Sequence, residues 1–101
     1  MLIVMGVIEF EDGGVEQARE AIATMEQKTR KEDGCLVYTF SQEISSPNTV
    51  RISEQWASMD ALALHLKTSH MADFGAEMGR IGLKSMDVKL YEIAGERELP
   101  R

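Results

Sequence analysis

The chain has 101 residues, 44% of them apolar and 28% charged, with a formal net charge of −6. That is the size and balance of one independently folding domain with a buried core. The acidic surplus repels phosphate backbones and anionic lipid surfaces, so neither nucleic acid nor a membrane is expected as a partner.

Residues 2–10 predict a first strand. Leu2, Val4, Ile8 and Phe10 fall on one side and Ile3, Met5 and Val7 on the other, a pattern expected of a strand buried on both faces. The start is apolar but lacks a basic segment, and Glu9 and Glu11 interrupt it, so it reads as a strand rather than a signal peptide. Asp12-Gly13-Gly14 is turn chemistry. A helix is expected from about Val15 to Lys31, with Val15, Ala18, Ile22, Met25 and Thr29 at helical spacing. Gly34 supplies its stop.

Residues 35–43 predict a second strand and residues 49–57 a third. Ser45-Ser46-Pro47-Asn48 is expected to turn between them and make an antiparallel hairpin. Ser58 is placed to cap a helix opening at Met59-Asp60 that carries Leu62, His65 and Leu66 on one face. Ser69 is expected to cap a further helical piece with Met71, Phe74, Met78 and Ile81 as its stripe, ended by Gly82. Residues 83–94 predict a last strand. Residues 1–95 are expected to form a single domain and 96–101 a loose tail.

The order β-α-β-β-α-β predicts an α+β, ferredoxin-like sandwich: one antiparallel sheet with helices on one face. The apolar residues on the other face of the first strand then need cover. A second copy of the sheet supplies it most simply, so a homodimer is expected.

The chemistry-bearing residues cluster. Glu54-Gln55-Trp56-Ala57-Ser58, His65 and Thr68-Ser69-His70 contain the chain's one Trp and both its His residues. Trp pairs a large apolar surface with one N–H that needs a partner when buried. His is the side chain that titrates near neutral pH. The pair reads as the wall of a small-molecule pocket; the structural alternative is a core Trp and two helix-capping imidazoles. His65 and His70 are not at the i, i+4 spacing that places two ligands on one helix face, and Ser69 reads as a break between them, so a zinc site is not expected. Cys35 is the one cysteine. It permits no internal disulfide, fits a reducing cytoplasm and reads as a buried, inert thiol. Gly13-Gly14 lacks the third glycine of a dinucleotide-binding loop.

Three stretches resemble the antibiotic biosynthesis monooxygenase (ABM) family of dimeric α+β barrel proteins, and within it the quinol monooxygenase-like branch. They are Glu32-Asp33-Gly34-Cys35-Leu36-Val37-Tyr38, Glu54-Gln55-Trp56, and the run from Ala61 through His65 and His70 to Phe74. The resemblance implies a dimer whose two sheets face each other, with a pocket in each subunit. It implies oxidation or hydroxylation of a small electron-rich aromatic or quinol by O2 with no flavin, metal or haem as cofactor. The protein's part would be a base, orientation and a dry cavity. His65 and His70 are then the candidate bases, and Glu54 would orient one imidazole. Trp56, Tyr38, Phe74 and Leu62 would hold the substrate. Ile52 stands where polyketide-hydroxylating relatives carry an Asn. The Asn and late His of haem-degrading relatives have no counterpart, so haem degradation is not expected. The alternatives are a His-dependent isomerase of a small oxygenated metabolite and a non-catalytic dimeric binding or stress-response module.

Overall fold

A computed structural model describes all 101 residues. The elements follow as β1 (Leu2–Phe10), α1 (Gly14–Thr29), β2 (Cys35–Glu43), β3 (Ser46–Trp56), α2 (Met59–His65), α3 (Ser69–Ile81) and β4 (Leu83–Glu92). The four strands form one antiparallel sheet in the order β2-β3-β1-β4. This is the ferredoxin-like α+β architecture expected from the element order.

The helices lie on one face of the sheet because β1 and β3 turn their largest apolar side chains that way. Leu2, Val4, Ile8 and Phe10 from β1 join Val50, Ile52 and Trp56 from β3 in the core. Ala18 and Met25 of α1 and Phe74 and Met78 of α3 close it from above. The C-terminal half of α1 is tied to β2 by polar bonds. Arg30 Nε donates to the carbonyl of Tyr38 at 2.9 Å, and the Phe40 amide donates to Glu26 Oε2 at 2.8 Å.

Three expectations need correction. The hairpin turn is tighter than predicted: only Ile44 and Ser45 lie outside the strands, and Pro47 and Asn48 belong to β3. Proline is tolerated there because it stands at the start of the strand, where the β2–β3 register is already irregular. Thr68, not Ser69, caps α3, accepting the Met71 amide at 3.3 Å. Ser58 does cap α2, accepting from Ala61 at 3.1 Å. Lastly, β1 is not buried on both faces within one chain. Met5 is 58% exposed on the face away from the helices.

No helix is long and apolar enough to cross a membrane. Beyond Glu92 the chain forms neither helix nor strand, and the Ile93 amide makes a last bond to the carbonyl of Met1 at 3.2 Å.

Candidate functional site

The turn between α1 and β2 organises the site. Gly34 adopts a φ of +84°, and a Cβ at this position would fall 2.6 Å from the Cβ of Ala61. Its carbonyl accepts the Ala57 amide at 2.8 Å. The turn therefore lies directly against the start of α2, a contact that only glycine permits. Glu32, two residues earlier, is carried to the face of α2 that bears His65.

The result is a three-residue cluster. Glu32 Oε2 lies 2.8 Å from His65 Nδ1 and 2.7 Å from His70 Nε2. A carboxylate only accepts, so each of these nitrogens carries its ring hydrogen and the opposite nitrogen of each imidazole stays free. His65, the last residue of α2, is 1% exposed. His70, in the first turn of α3, keeps 14% of its side chain exposed. The helix break at Thr68-Ser69 does not separate the two imidazoles. It redirects the chain so that both reach one oxygen.

Glu54 does not hold an imidazole. Its Oε1 accepts the Trp56 indole N–H at 2.8 Å. On a strand, residues two apart point to the same face, and this satisfies the buried indole. Burial raises the Glu54 carboxyl above the ordinary carboxylate range, against the pull of the Trp56 bond and of His65. The Tyr38 phenol is held well above its usual range by burial, reinforced by the nearby charges of Glu54 and Glu32. It is a neutral hydroxyl at physiological pH. Cys35 is half-buried rather than buried as expected, and its partial burial pushes the thiol up, with Glu32 and Glu54 adding to the shift. That is the character of an inert thiol.

Two cavities meet at the cluster. The first, about 250 Å³, lies between the sheet and α2–α3. Eleven of its thirteen lining residues are hydrophobic, and the polar wall consists of His65 and Glu54. Tyr38, Leu62 and Phe74 are among the residues that line it. Its mouth is bounded by Met86, Val88 and Leu90 of β4, each about half exposed. The second, about 380 Å³, is a polar cleft between α1 and α3, where His70 stands among Glu20, Asp73 and Glu77 and the cations Lys28 and Arg80. His65 thus opens on the apolar side and His70 on the polar side.

Trp56 lines neither cavity. It is fully buried, and its ring centroid lies 4.8 Å from that of His65. The indole backs the imidazole rather than facing the space where a substrate would lie. Tyr38 meets the same imidazole edge-on, with ring centroids 5.3 Å apart. Sequence reasoning gave Glu32 no part in the site. It is 33 positions from His65, and nothing in local spacing links the two. The signal within reach was its place two residues before a glycine that ends a helix.

The family comparison agrees with this architecture. The sequence profile of the antibiotic biosynthesis monooxygenases matches residues 1–77, from β1 to within α3. An uncharacterized protein of Synechocystis is 26% identical over 98 residues, which span 97% of this chain and 67% of that protein. A Deinococcus radiodurans structure assigned to the antibiotic biosynthesis monooxygenases superposes with a TM-score of 0.92 at 24% identity, covering 100% of both chains. A Mycobacterium tuberculosis structure superposes with a TM-score of 0.85 at 21% identity, covering 96% of this chain and 98% of the other. With its fold and the greater part of its length matched in this way, the chain belongs to the antibiotic biosynthesis monooxygenase family.

Proposed function

We propose that the protein oxidises a small electron-rich aromatic with O2, without an organic or metal cofactor, and that His65 is the base. One observation carries this reading. A buried imidazole forms the polar wall of an apolar cavity, with Nδ1 tied to Glu32 and Nε2 free. The volume of about 250 Å³ suits a one- or two-ring arene and is far too small for haem.

A quinol O–H gives its proton to Nε2. The Glu32 carboxylate offsets the positive charge that forms on the ring, as a carboxylate behind a catalytic imidazole does. The quinolate is then electron-rich enough to reduce O2. For simple oxidation the balance is quinol plus O2 giving quinone plus hydrogen peroxide. For hydroxylation and oxidation at one ring carbon, one oxygen atom enters the product and the other leaves as water. Tyr38, Phe74 and Leu62 hold the ring, and the apolar walls exclude water from the anion. An isomerase working with two imidazoles is less well served, because His70 opens onto the cleft between α1 and α3 rather than onto this cavity.

The active form in this reading is a homodimer. Met86, Val88 and Leu90 leave an apolar stripe along β4, and Met5 and Tyr91 leave apolar area on the opposite face. A partner over this edge would bury the stripe and close the mouth of the cavity. Residues 1–95 are the folding unit, and a reducing cytoplasm suits the single thiol.

Oxygen uptake with a panel of dihydroxynaphthalenes and quinols, in the presence of a chelator, tests the reading against heat-denatured protein. A rate above that control that His65→Ala removes is the expected result. No rate above it across the panel rejects the oxidase and favours the binding module.

A further inference from the structure

We propose that Glu32, His65 and His70 form a binding site for one divalent transition-metal ion of the nickel–zinc type. The inference does not depend on the oxidase reading. The three donor atoms lie within 4.8 Å of one another. In an imidazole the N–H and the lone pair of the other tautomer share one in-plane direction. Two ring nitrogens that both aim a hydrogen at Glu32 Oε2 therefore both aim a lone pair at nearly the same point once the tautomers exchange. That convergence is what a metal requires of its ligands, and two imidazoles with one carboxylate is a donor set that first-row divalent ions favour.

The exchange balances without redox chemistry. The ring hydrogen of His65 moves from Nδ1 to Nε2, and that of His70 from Nε2 to Nδ1. The ion enters between the freed nitrogens and the carboxylate, and solvent fills its remaining positions. Metal–nitrogen bonds are about 2.0–2.1 Å, so two such nitrogens stand at most about 4.2 Å apart. The two imidazoles must close by several tenths of an ångström if they start near the 4.8 Å limit. His70 can make that movement because it lies in the first turn of α3 with an open side toward the polar cleft. The cleft is also the way in. Glu20, Asp73 and Glu77 line it with Lys28 and Arg80, and Arg80 pairs with Glu77 at 2.8 Å. The cleft itself is therefore close to balanced, and the chain's net charge of −6 is what favours the approach of cations.

The chain contains two His residues and one Cys, so imidazole-based binding has no other place to occur. It also provides a reporter. Trp56 is the one Trp of the chain, its ring centroid 4.8 Å from that of His65, where a bound Ni²⁺ quenches its fluorescence. The experiment titrates full-length protein free of any histidine tag with Ni²⁺, in the absence of quinol, and follows Trp56 emission and heat release. Saturable quenching with one ion per chain is expected. His70→Ala and Glu32→Gln should each weaken binding by at least tenfold, with circular dichroism showing that the variants remain folded. His70 is the cleaner position, since its side chain is partly solvated and its removal leaves the core intact. Absence of saturable quenching up to millimolar Ni²⁺, or an unchanged curve for folded His70→Ala, overturns the proposal. Because no substrate is present, failure of the oxidase reading leaves this result unaffected. Were both to hold, the ion would withdraw the His65 base and lower oxygen uptake in step with its occupancy.

Discussion

Gly34 and Ala61 approach so closely that a Cβ on Gly34 would lie 2.6 Å from the Cβ of Ala61, on a backbone with φ of +84°. This contact seats the turn after α1 on the first turn of α2, and the alignment of Glu32 with His65 depends on it.

Replacing Gly34 by Ala therefore strains both the backbone and the contact. Urea unfolding should show a loss of about 1–3 kcal/mol. Gly75 and Gly79 are the contrast. Both lie exposed within α3, and an added Cβ meets nothing within 4 Å. Alanine at either should stabilise by about 0.5–1 kcal/mol.

His65 and His70 should separate kinetically. If quinol oxidation is present, His65→Ala should lower kcat about a hundredfold or more, the usual scale of general-base assistance. His70→Ala should keep most of the rate, because that imidazole faces the polar cleft. Equal losses in steady-state oxygen uptake would place the base elsewhere.

Trp56→Phe should act through stability. The indole is fully buried, and its N–H satisfies Glu54 Oε1. The variant loses packing and leaves a buried carboxyl oxygen without its donor, so a cost of about 1–3 kcal/mol is expected. KM should change less than the melting temperature.

Glu54 confers a pH dependence of definite sign. Its carboxyl is raised in the folded protein from the ordinary value of 4.5, chiefly by burial. The folded state therefore binds this proton more tightly than the unfolded state does. The contribution to stability is fully present below about 4.5 and is lost as pH rises through the raised folded value. Glu54→Gln keeps an amide oxygen for the Trp56 N–H and cannot ionise. Its stability relative to wild type should rise from pH 4 to pH 7 in paired denaturant titrations. A constant difference would contradict the burial effect.

The apolar stripe of β4 can be tested directly. Light scattering at micromolar concentration should give about twice the chain mass, and Val88→Asp should shift it toward one. Val88 is 45% exposed in the single chain, so the aspartate should cost an isolated subunit little. A wild-type protein that is folded and monomeric would remove the argument for a shared cavity mouth.

Local pattern determined the elements. Alternation along Leu2–Phe10, the stripe of Ala18, Met25 and Thr29 in α1, and Ser58 before α2 each act over a few residues. Backbone sterics and amphipathic spacing decide matters at that range, so the ferredoxin-like order was legible throughout. Several inward positions were legible for the same reason: Tyr38, Leu62, His65 and Phe74 lie on faces that must point inward, and all four are buried beside the cavity. The pairing of polar groups was not legible. Glu32 meets His65 and His70 across 33 and 38 positions of sequence. Which carboxylate reaches which imidazole is set by how the turn at Gly34 docks on α2, and no local periodicity encodes that distance. Glu54, the nearer acid in sequence, was taken by Trp56 because strand geometry already placed the two side chains on the same face. Tertiary packing alone decided that His65 looks into an apolar cavity and His70 into a polar cleft, since each of those spaces is walled by elements that meet only in the folded chain.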